Sequence, residues 1–468
     1  MLLCAPGACH IISPTQPLPI TSNPSAVAGA STPVTRRVLP MVLAALVIRL
    51  VVMVLLLPDQ LLPSRAGDGQ RPALPPHFHM GFEAGRIGYS IVEGRGFSSP
   101  LFGETGPTAW LTPIYPYIIA GAFEIFGTYS TASAVALLSL NALASSLLCI
   151  VVFLIARRSF GERVAIWSRW GWAFCPYGIY FPVERIWETY LAALILGLLF
   201  LITLHLEDES RLSCWAGFGA LWGLGALTSP VMLSALPFLA AWLIYRRHRR
   251  GRRWFLVNVV ATLAFLVVVA PWVVRNYTVF HRFIPLRDNM GLALRCGTKG
   301  KSDYWGPYEL GPWNSNAEWN EFQQVGELAY MDHKKEQAIA FIRAHPGWYV
   351  WTSFRRAFFM WTGYWSLDRA YLEQEPLDPP NILFCSAFTV LALLGLRRAC
   401  KQDFGRALPY LLLLVSLPVL YYVSVPEVYY RRPLDPFLVI LAVAGLMPRG
   451  AATSKKGATP SEKLSTVP

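Results

Sequence analysis

Long apolar runs broken by short polar connections dominate the chain. The stretches 38–57, 131–156, 254–274 and 407–425 each approach the roughly 20 apolar residues that a helix needs to cross a bilayer. Shorter runs at 163–180, 189–206, 212–227, 231–245, 382–396 and 434–447 bring the predicted spans to about ten, which defines an all-α polytopic membrane protein. Residues 113–126 are also apolar, but they carry Pro113, Pro116 and Glu124 and end at Gly127. That run is too short to span and predicts a helix lying at the membrane surface. Farther on, Phe322, Leu328, Ala329, Ile339 and Phe341 recur among charged residues and predict a small amphipathic helix. The aromatic run 348–365, with Arg355 and Arg356, predicts a further interfacial helix, because Trp and Tyr favour the headgroup layer. No internal repeat is evident.

Composition supports this reading: 54% of residues are hydrophobic, above the 45–50% or so of soluble domains. The net charge of +13 could suggest nucleic acid. Its distribution argues otherwise. Arg36-Arg37, Arg157-Arg158, the basic residues of 246–253, Arg397-Arg398 with Lys401, and Lys455-Lys456 fall on one side of a ten-span topology. Basic residues are retained in the cytoplasm, so both termini are expected there and the charge needs no nucleic-acid partner. Two long segments, 58–112 and 275–380, then face outward from a membrane domain covering 36–447. Residues 1–35, rich in Pro, Ser, Thr and Ala without a cleavable signal pattern, and residues 448–468 read as disordered cytoplasmic tails. The eight cysteines form no disulfide framework, since Cys296 alone is expected on the oxidising side.

The first outer segment holds Asp68, His77, His79, Glu83, Arg86, Glu93 and Glu104, acids, bases and cations that no anchor requires. Glu83 and Arg86 are three apart, hence neighbours on a helix. A carboxylate beside a membrane cavity can act as general base on a hydroxyl, with the arginine holding it ionised or binding phosphate. An exposed ion pair is the other reading of the same spacing. Glu184 and Glu188, four apart in a short outer turn, would share one helical face, as an acidic site or as helix-end charge paired with Arg185. His77 and His79 lack an evident third ligand, so no metal site is assigned. Arg49 lies inside the first span, where an unpaired charge costs at least ~2.5–3.5 kcal/mol, and is expected to face a cavity or to snorkel.

Several motifs carry a family resemblance: Ile87-Gly88 through Gly96-Phe97, Pro113-Ile114-Tyr115, Ala120 through Phe126-Gly127, Ala156-Arg157-Arg158-Ser159-Phe160-Gly161, and Tyr430-Arg431-Arg432-Pro433-Leu434-Asp435-Pro436. Together they resemble the GT-C membrane glycosyltransferases, in particular protein O-mannosyltransferases and lipid A aminoarabinose transferases. The resemblance implies a GT-C fold with juxtamembrane helices in the first outer loop, which carries the catalytic acid. The family's Asp-Glu pair would fall near Met80-Gly81, where this chain has no carboxylate, and its Lys-Pro-Pro is here Leu111-Thr112-Pro113. Glu83, the nearest acid, is therefore assigned as base, with Asp68 in reserve. By position, Glu184 and Glu188 resemble the second acidic site used for acceptor or metal. A departing lipid phosphate needs cations in a poorly solvated place. Arg431 and Arg432 fit that need, with Arg275 and Arg86 assisting; anchoring at the headgroups is their alternative role.

The expected function is an inverting glycosyl transfer from a polyprenyl-phosphate-linked sugar to a hydroxyl of a lipid, glycan or protein acceptor, on the outer face of a bacterial inner membrane. No cofactor is required by the sequence, though a divalent cation is compatible with the wider superfamily. A transporter or lipid flippase would also be polytopic and basic inside. Such a protein is expected to carry repeat halves and broken midplane helices.

Overall fold

The computed structural model describes residues 34–61, 80–101, 103–298, 311–313, 315–366, 369, 372, 378–425 and 429–447. Asp68, His77, His79 and most of the two predicted tails lie outside the described residues. Within them the chain is helical, in the order α1 (Val34–Leu61), α2 (Phe82–Val92), α3 (Ile114–Phe126), α4 (Thr131–Phe160), α5 (Glu162–Ala173) and α6 (Pro176–Glu184). Next come α7 (Thr189–His205), α8 (Leu212–Thr228), α9 (Leu236–Arg249), α10 (Phe255–Phe280), α11 (Met290–Cys296) and α12 (Asn316–Val325). The chain continues through α13 (Glu327–Ala344), α14 (Pro346–Thr362), α15 (Asp378–Gln402), α16 (Phe404–Ser416), α17 (Val419–Val423) and α18 (Asp435–Leu446). Five segments are long and apolar enough to span: Leu39–Leu56, Thr131–Phe160, Phe255–Phe280, Pro379–Gln402 and Phe404–Val423. The shorter apolar helices α3, α7 and α8 accompany them.

Four predicted elements are divided. The run 407–425 breaks at Leu417-Pro418 into α16 and α17, and the other three break for local reasons. The run 163–180 is two helices, because the chain leaves helical geometry at Phe174 and Cys175 and restarts at Pro176, whose missing N–H suits a first turn. The run 231–245 opens with a 3-10 turn, Pro230–Ser234, before α9. The outer amphipathic segment is split by Gly326, whose φ of 78° ends α12 and starts α13.

The bundle packs around α4, against which α1, α5 and α7 lie. Its largest sealed side chains include Trp172, Trp215 and Phe200. Some helices approach backbone to backbone. A Cβ at Gly219 would come within 1.9 Å of the Ala261 carbonyl oxygen, so only glycine allows α8 to meet α10 there. The outer faces of α1 and α10 expose Leu43, Val47, Val51, Leu263, Leu266 and Val267, as a lipid-facing surface requires. Arg49 departs from its expected position. It faces neither a cavity nor the headgroups but is sealed inside the bundle. Its Nε donates to Ser145 Oγ at 3.0 Å, and its other nitrogens donate to the carbonyls of Ala45, Trp172 and Ala173. Those acceptors replace the water that the cation lost on burial.

The two ends differ. At one, Arg158 donates to the Leu204 carbonyl, Arg246 and Arg250 pair with Glu207, and Tyr410 bonds Ser159, which gathers the basic turns at a single end. At the other lie α2, α3, the turn 185–188 and the segment after α10.

Candidate active site

The opposite end gathers acids and cations from four separate parts of the chain. In α2, Gly81, with φ of 79°, caps the helix. A Cβ on Gly88 would lie 2.9 Å from Ile119, so the glycine face of α2 packs against α3. At 100° per residue, Glu83 projects about 140–200° away from those glycines. It therefore points off the α3 contact, toward the turn that precedes α7. Phe82 lies 5.9 Å from the Trp187 ring, Trp187 lies 5.0 Å from Tyr429, and the Arg185 guanidinium sits over Tyr429 at 5.0 Å. This aromatic joint holds the start of α2 beside that turn.

Glu188 caps α7, close enough to Glu83 for the two carboxylates to repel. Both are half-buried, and loss of water raises the pKa of each above the usual carboxylate range. Arg86 partly opposes this at Glu83, and Arg287 at Glu188, while the Glu83 charge adds to the rise at Glu188. Arg86 is itself lowered to about 10 by burial. Glu184 does not join the pair. Helix α6 ends at Glu184 and Arg185 is extended (φ −141°, ψ 147°), so the four-residue spacing no longer sets one face. Glu184 instead pairs with Arg185 at 3.0 Å.

Arg287 was not singled out from the sequence. It lies between α10 and α11, and its neighbours are pinned: Trp272 Nε1 donates to the Leu286 carbonyl at 2.7 Å, and the Asp288 amide donates to the Ala109 carbonyl at 3.0 Å. Held this way, Arg287 reaches within electrostatic range of Glu188 and of Tyr421 on α17. Among the described residues it has no hydrogen-bonded or ion-paired partner within bonding distance, and it is half-buried. A cation so placed is available to an anionic ligand. The available signal was positional: Arg287 follows a predicted span closely, at the end that carries Glu83.

Arg431, Arg432 and Arg275 each pair with protein groups, although Arg431 Nη2 and Arg432 Nε have no hydrogen-bond partner among the described residues. Arg431 and Arg432 both pair with the sealed carboxylate of Asp435, at 3.2 and 3.1 Å. Arg432 stacks 3.8 Å from the Tyr177 ring centroid and 4.2 Å from that of Phe181, and Arg431 donates to the Met360 carbonyl. Arg275 donates to the carbonyls of Thr108 and Phe97 at 2.7 Å and lies against the rings of Phe97 and Trp272. Its nitrogens hold the outer segment in place. Near it, Glu327 of α13 accepts from Thr108 Oγ1 at 2.6 Å and from the Ala109 amide at 2.7 Å. The Asp288 carboxylate is buried beside it, raised to about 6, chiefly by loss of water. Glu327 is raised to about 8 by burial and by Asp288. Among the described residues no group of three or more His, Cys, Asp or Glu side chains forms a metal-ligand set.

The fold and this cluster define an all-α membrane protein with a paired-acid and arginine site at one end of its bundle. Residues 110–274 match the family model of dolichyl-phosphate-mannose-protein mannosyltransferase. That stretch contains Glu184 and Glu188 but neither Glu83 nor Arg287. The resemblance to protein O-mannosyltransferases read from the sequence is met over these residues. No curated protein matches the chain. Among solved structures, the chain is similar to the apo form of the Archaeoglobus fulgidus oligosaccharyltransferase, with 14% identity, a TM-score of 0.48, and coverage of 86% of this chain and 50% of that one. The oligosaccharyltransferase AglB of the same organism, in complex with an inhibitory peptide and a dolichol-phosphate, is 13% identical with a TM-score of 0.45, covering 87% and 50%. ArnT from Cupriavidus metallidurans bound to undecaprenyl phosphate is 14% identical with a TM-score of 0.41, covering 88% and 78%. The chain spans about half the length of the oligosaccharyltransferase chains.

Proposed function

We propose that this chain is a membrane glycosyltransferase that transfers a sugar from a polyprenyl-phosphate carrier to a hydroxyl acceptor. The observation that carries the reading is the convergence of Glu83, Glu188 and Arg287 at one end of the bundle, in a chain whose residues 110–274 match a lipid-linked mannosyltransferase model. In the step proposed, Glu83 removes the acceptor's hydroxyl proton while that oxygen bonds to the anomeric carbon. The bond from that carbon to the phosphate oxygen breaks, and the lipid phosphate leaves with the bonding electron pair. One displacement inverts the anomeric centre. Arg287 faces the phosphate as its charge develops, the role for which a fixed, poorly solvated cation is most effective. Glu188 orients Arg287 and the acceptor. The basic end is then cytoplasmic by the positive-inside bias, both termini included, and the site opens outward from a bacterial inner membrane.

The test is turnover of purified protein with radiolabelled polyprenyl-phosphate sugars and candidate lipid, glycan and protein acceptors. Transfer that falls by about 10²–10⁴ in Glu83→Gln supports the base assignment, and unchanged turnover in that variant refutes it. Movement of the labelled lipid across vesicles without any transfer would instead identify a flippase.

A further inference from the structure

The basic end holds a cleft that the proposed reaction does not use. Helices α15 and α18 touch at their glycines: a Cβ on Gly395 would lie 1.8 Å from the Leu441 carbonyl oxygen, and one on Gly445 would lie 2.9 Å from the Gly395 amide. The turn from α4 into α5 forms the third wall, which begins at Gly161 with φ of 90°. The enclosed space is about 830 Å³. Phe160, Val164 and Ala444 line its apolar part, while Arg163, Arg398 and Gln402 line its polar part.

We propose that this cleft binds the phosphodiester headgroup of an anionic membrane lipid. Its charge supports that occupant. The one acid in the lining, Glu162, is paired with Arg157 at 3.3 Å. Arg163 and Arg398 are exposed, and among the described residues neither has a carboxylate partner; Arg398 donates to the Gly445 carbonyl and keeps other donors free. The cleft is thus net cationic, with guanidinium donors suited to phosphate oxygens. Its place supports a lipid over a soluble phosphate. The cleft lies at the ends of two candidate spans, α4 and α15, and is flanked by the exposed Leu393, Leu394 and Leu446, along which acyl chains can continue into the bilayer. Basic pockets between spans at the cytoplasmic surface are suited to anionic headgroups, each cation contributing about a fivefold gain in affinity. The chain's own continuation is a poor occupant, because residues after Met447 carry Arg449, Lys455, Lys456 and Lys463 against Glu462 alone. This site is independent of the proposed transfer reaction.

The experiment is lipid titration of the full-length protein in detergent, read by native mass spectrometry, with phosphatidylglycerol and phosphatidylcholine of identical chains. Phosphatidylglycerol is expected to bind preferentially. Arg163→Gln is expected to weaken it about fivefold, and adding Arg398→Gln to reach roughly 25-fold, with phosphatidylcholine unaffected. Because Arg398 also braces α18, the exposed Arg163 variant alone is the reading that survives a folding defect in the double variant. Equal binding of the two lipids, or an Arg163→Gln variant indistinguishable from the parent, overturns the proposal. So does displacement by millimolar inorganic phosphate, which would mark a soluble-anion site. A variant ending at Met447 that gains lipid binding regardless of both arginines would identify the tail as occupant and likewise overturn it.

Discussion

Glu327→Gln is the most informative single perturbation of the outer segment. Glu327 accepts hydrogen bonds from Thr108 and Ala109, and the buried Asp288 carboxylate stands beside it. Two buried carboxylates side by side keep a proton at neutral pH when loss of water and their mutual repulsion outweigh the nearby Arg275 and Arg282. Glu327 is held at about 8, against 4.5 in water, so closing the outer segment takes up a proton between those values. The sign follows: a carboxyl raised in the closed state contributes stability fully present at acid pH and lost as pH climbs through about 8. At about 1.4 kcal/mol for each tenfold change in proton binding, closure weakens by about 2 kcal/mol between pH 6 and pH 8. Because one proton serves both acids, the Asp288 contribution does not add to this. Hydrogen exchange at the Ala109 amide and its neighbours reads the effect directly. Exchange should accelerate on the order of fifty-fold beyond the chemical trend across that interval. In Glu327→Gln the amide oxygen can still accept from Ala109, the amide nitrogen can donate to Thr108 Oγ1, and the extra acceleration should vanish. A parent protein that follows the chemical trend alone, or a variant with the parent's slope, refutes the shared proton.

Asp435→Asn leaves Arg431 and Arg432 sealed without a counterion and should cost ~3–5 kcal/mol, seen as a lowered midpoint of thermal unfolding or loss of monodisperse protein. An unchanged midpoint would mean that the two cations find other partners. Gly395→Val places a branched side chain where a single Cβ already meets the Leu441 carbonyl at 1.8 Å, so it should destabilise by at least ~1–3 kcal/mol, whereas Gly217→Ala, mid-helix where a Cβ meets nothing within 4 Å, should be neutral or stabilise by up to about 1 kcal/mol. If Arg287 receives the donor phosphate, Arg287→Ala should lower kcat/KM by about 10- to 150-fold, the value of one or more charge-assisted hydrogen bonds, with partial rescue by lysine. The raised Glu83 pKa places the acid limb of the pH–rate profile above the usual carboxylate range, with activity falling as pH drops through it.

Hydropathy located the long helices well. Residues 131–156 form one helix that runs on to Phe160 and stops at Gly161, and the short helix expected at 113–126 is α3. Hydropathy could not locate the break at Phe174 and Cys175, because both flanks are apolar and only backbone geometry separates them. The same blindness joined Glu184 to Glu188. An i,i+4 rule holds only inside a helix, and the helix ends on the first of the two acids. Glu83 stood out in the sequence because an acid in an apolar chain's outer segment needs a reason to be there, and the structure brings it near Glu188. Arg287 did not, since its position follows from Trp272, Ala109 and the start of α7, contacts that no local pattern encodes.

The Arg431-Arg432 motif carried its own explanation in the sequence. Asp435 follows at i+4 and i+3, the spacings at which a carboxylate meets both cations once a helix begins. A ligand phosphate would have to compete with a carboxylate that is covalently in register and already sealed from water, and with the Tyr177 and Phe181 rings that cover Arg432. A reversible ligand gains most from a cation whose desolvation is incomplete and whose counterion is missing. Arg287 meets both conditions; the arginine pair is sealed and shares one carboxylate between two cations, with Arg431 Nη2 and Arg432 Nε left without hydrogen-bond partners among the described residues. The pair is a brace that joins the start of α18 to α6 beneath the aromatic joint of Trp187 and Tyr429. That packing places the pair close to the turn that carries Glu188, so if the proposed site is correct the motif would act on it through position.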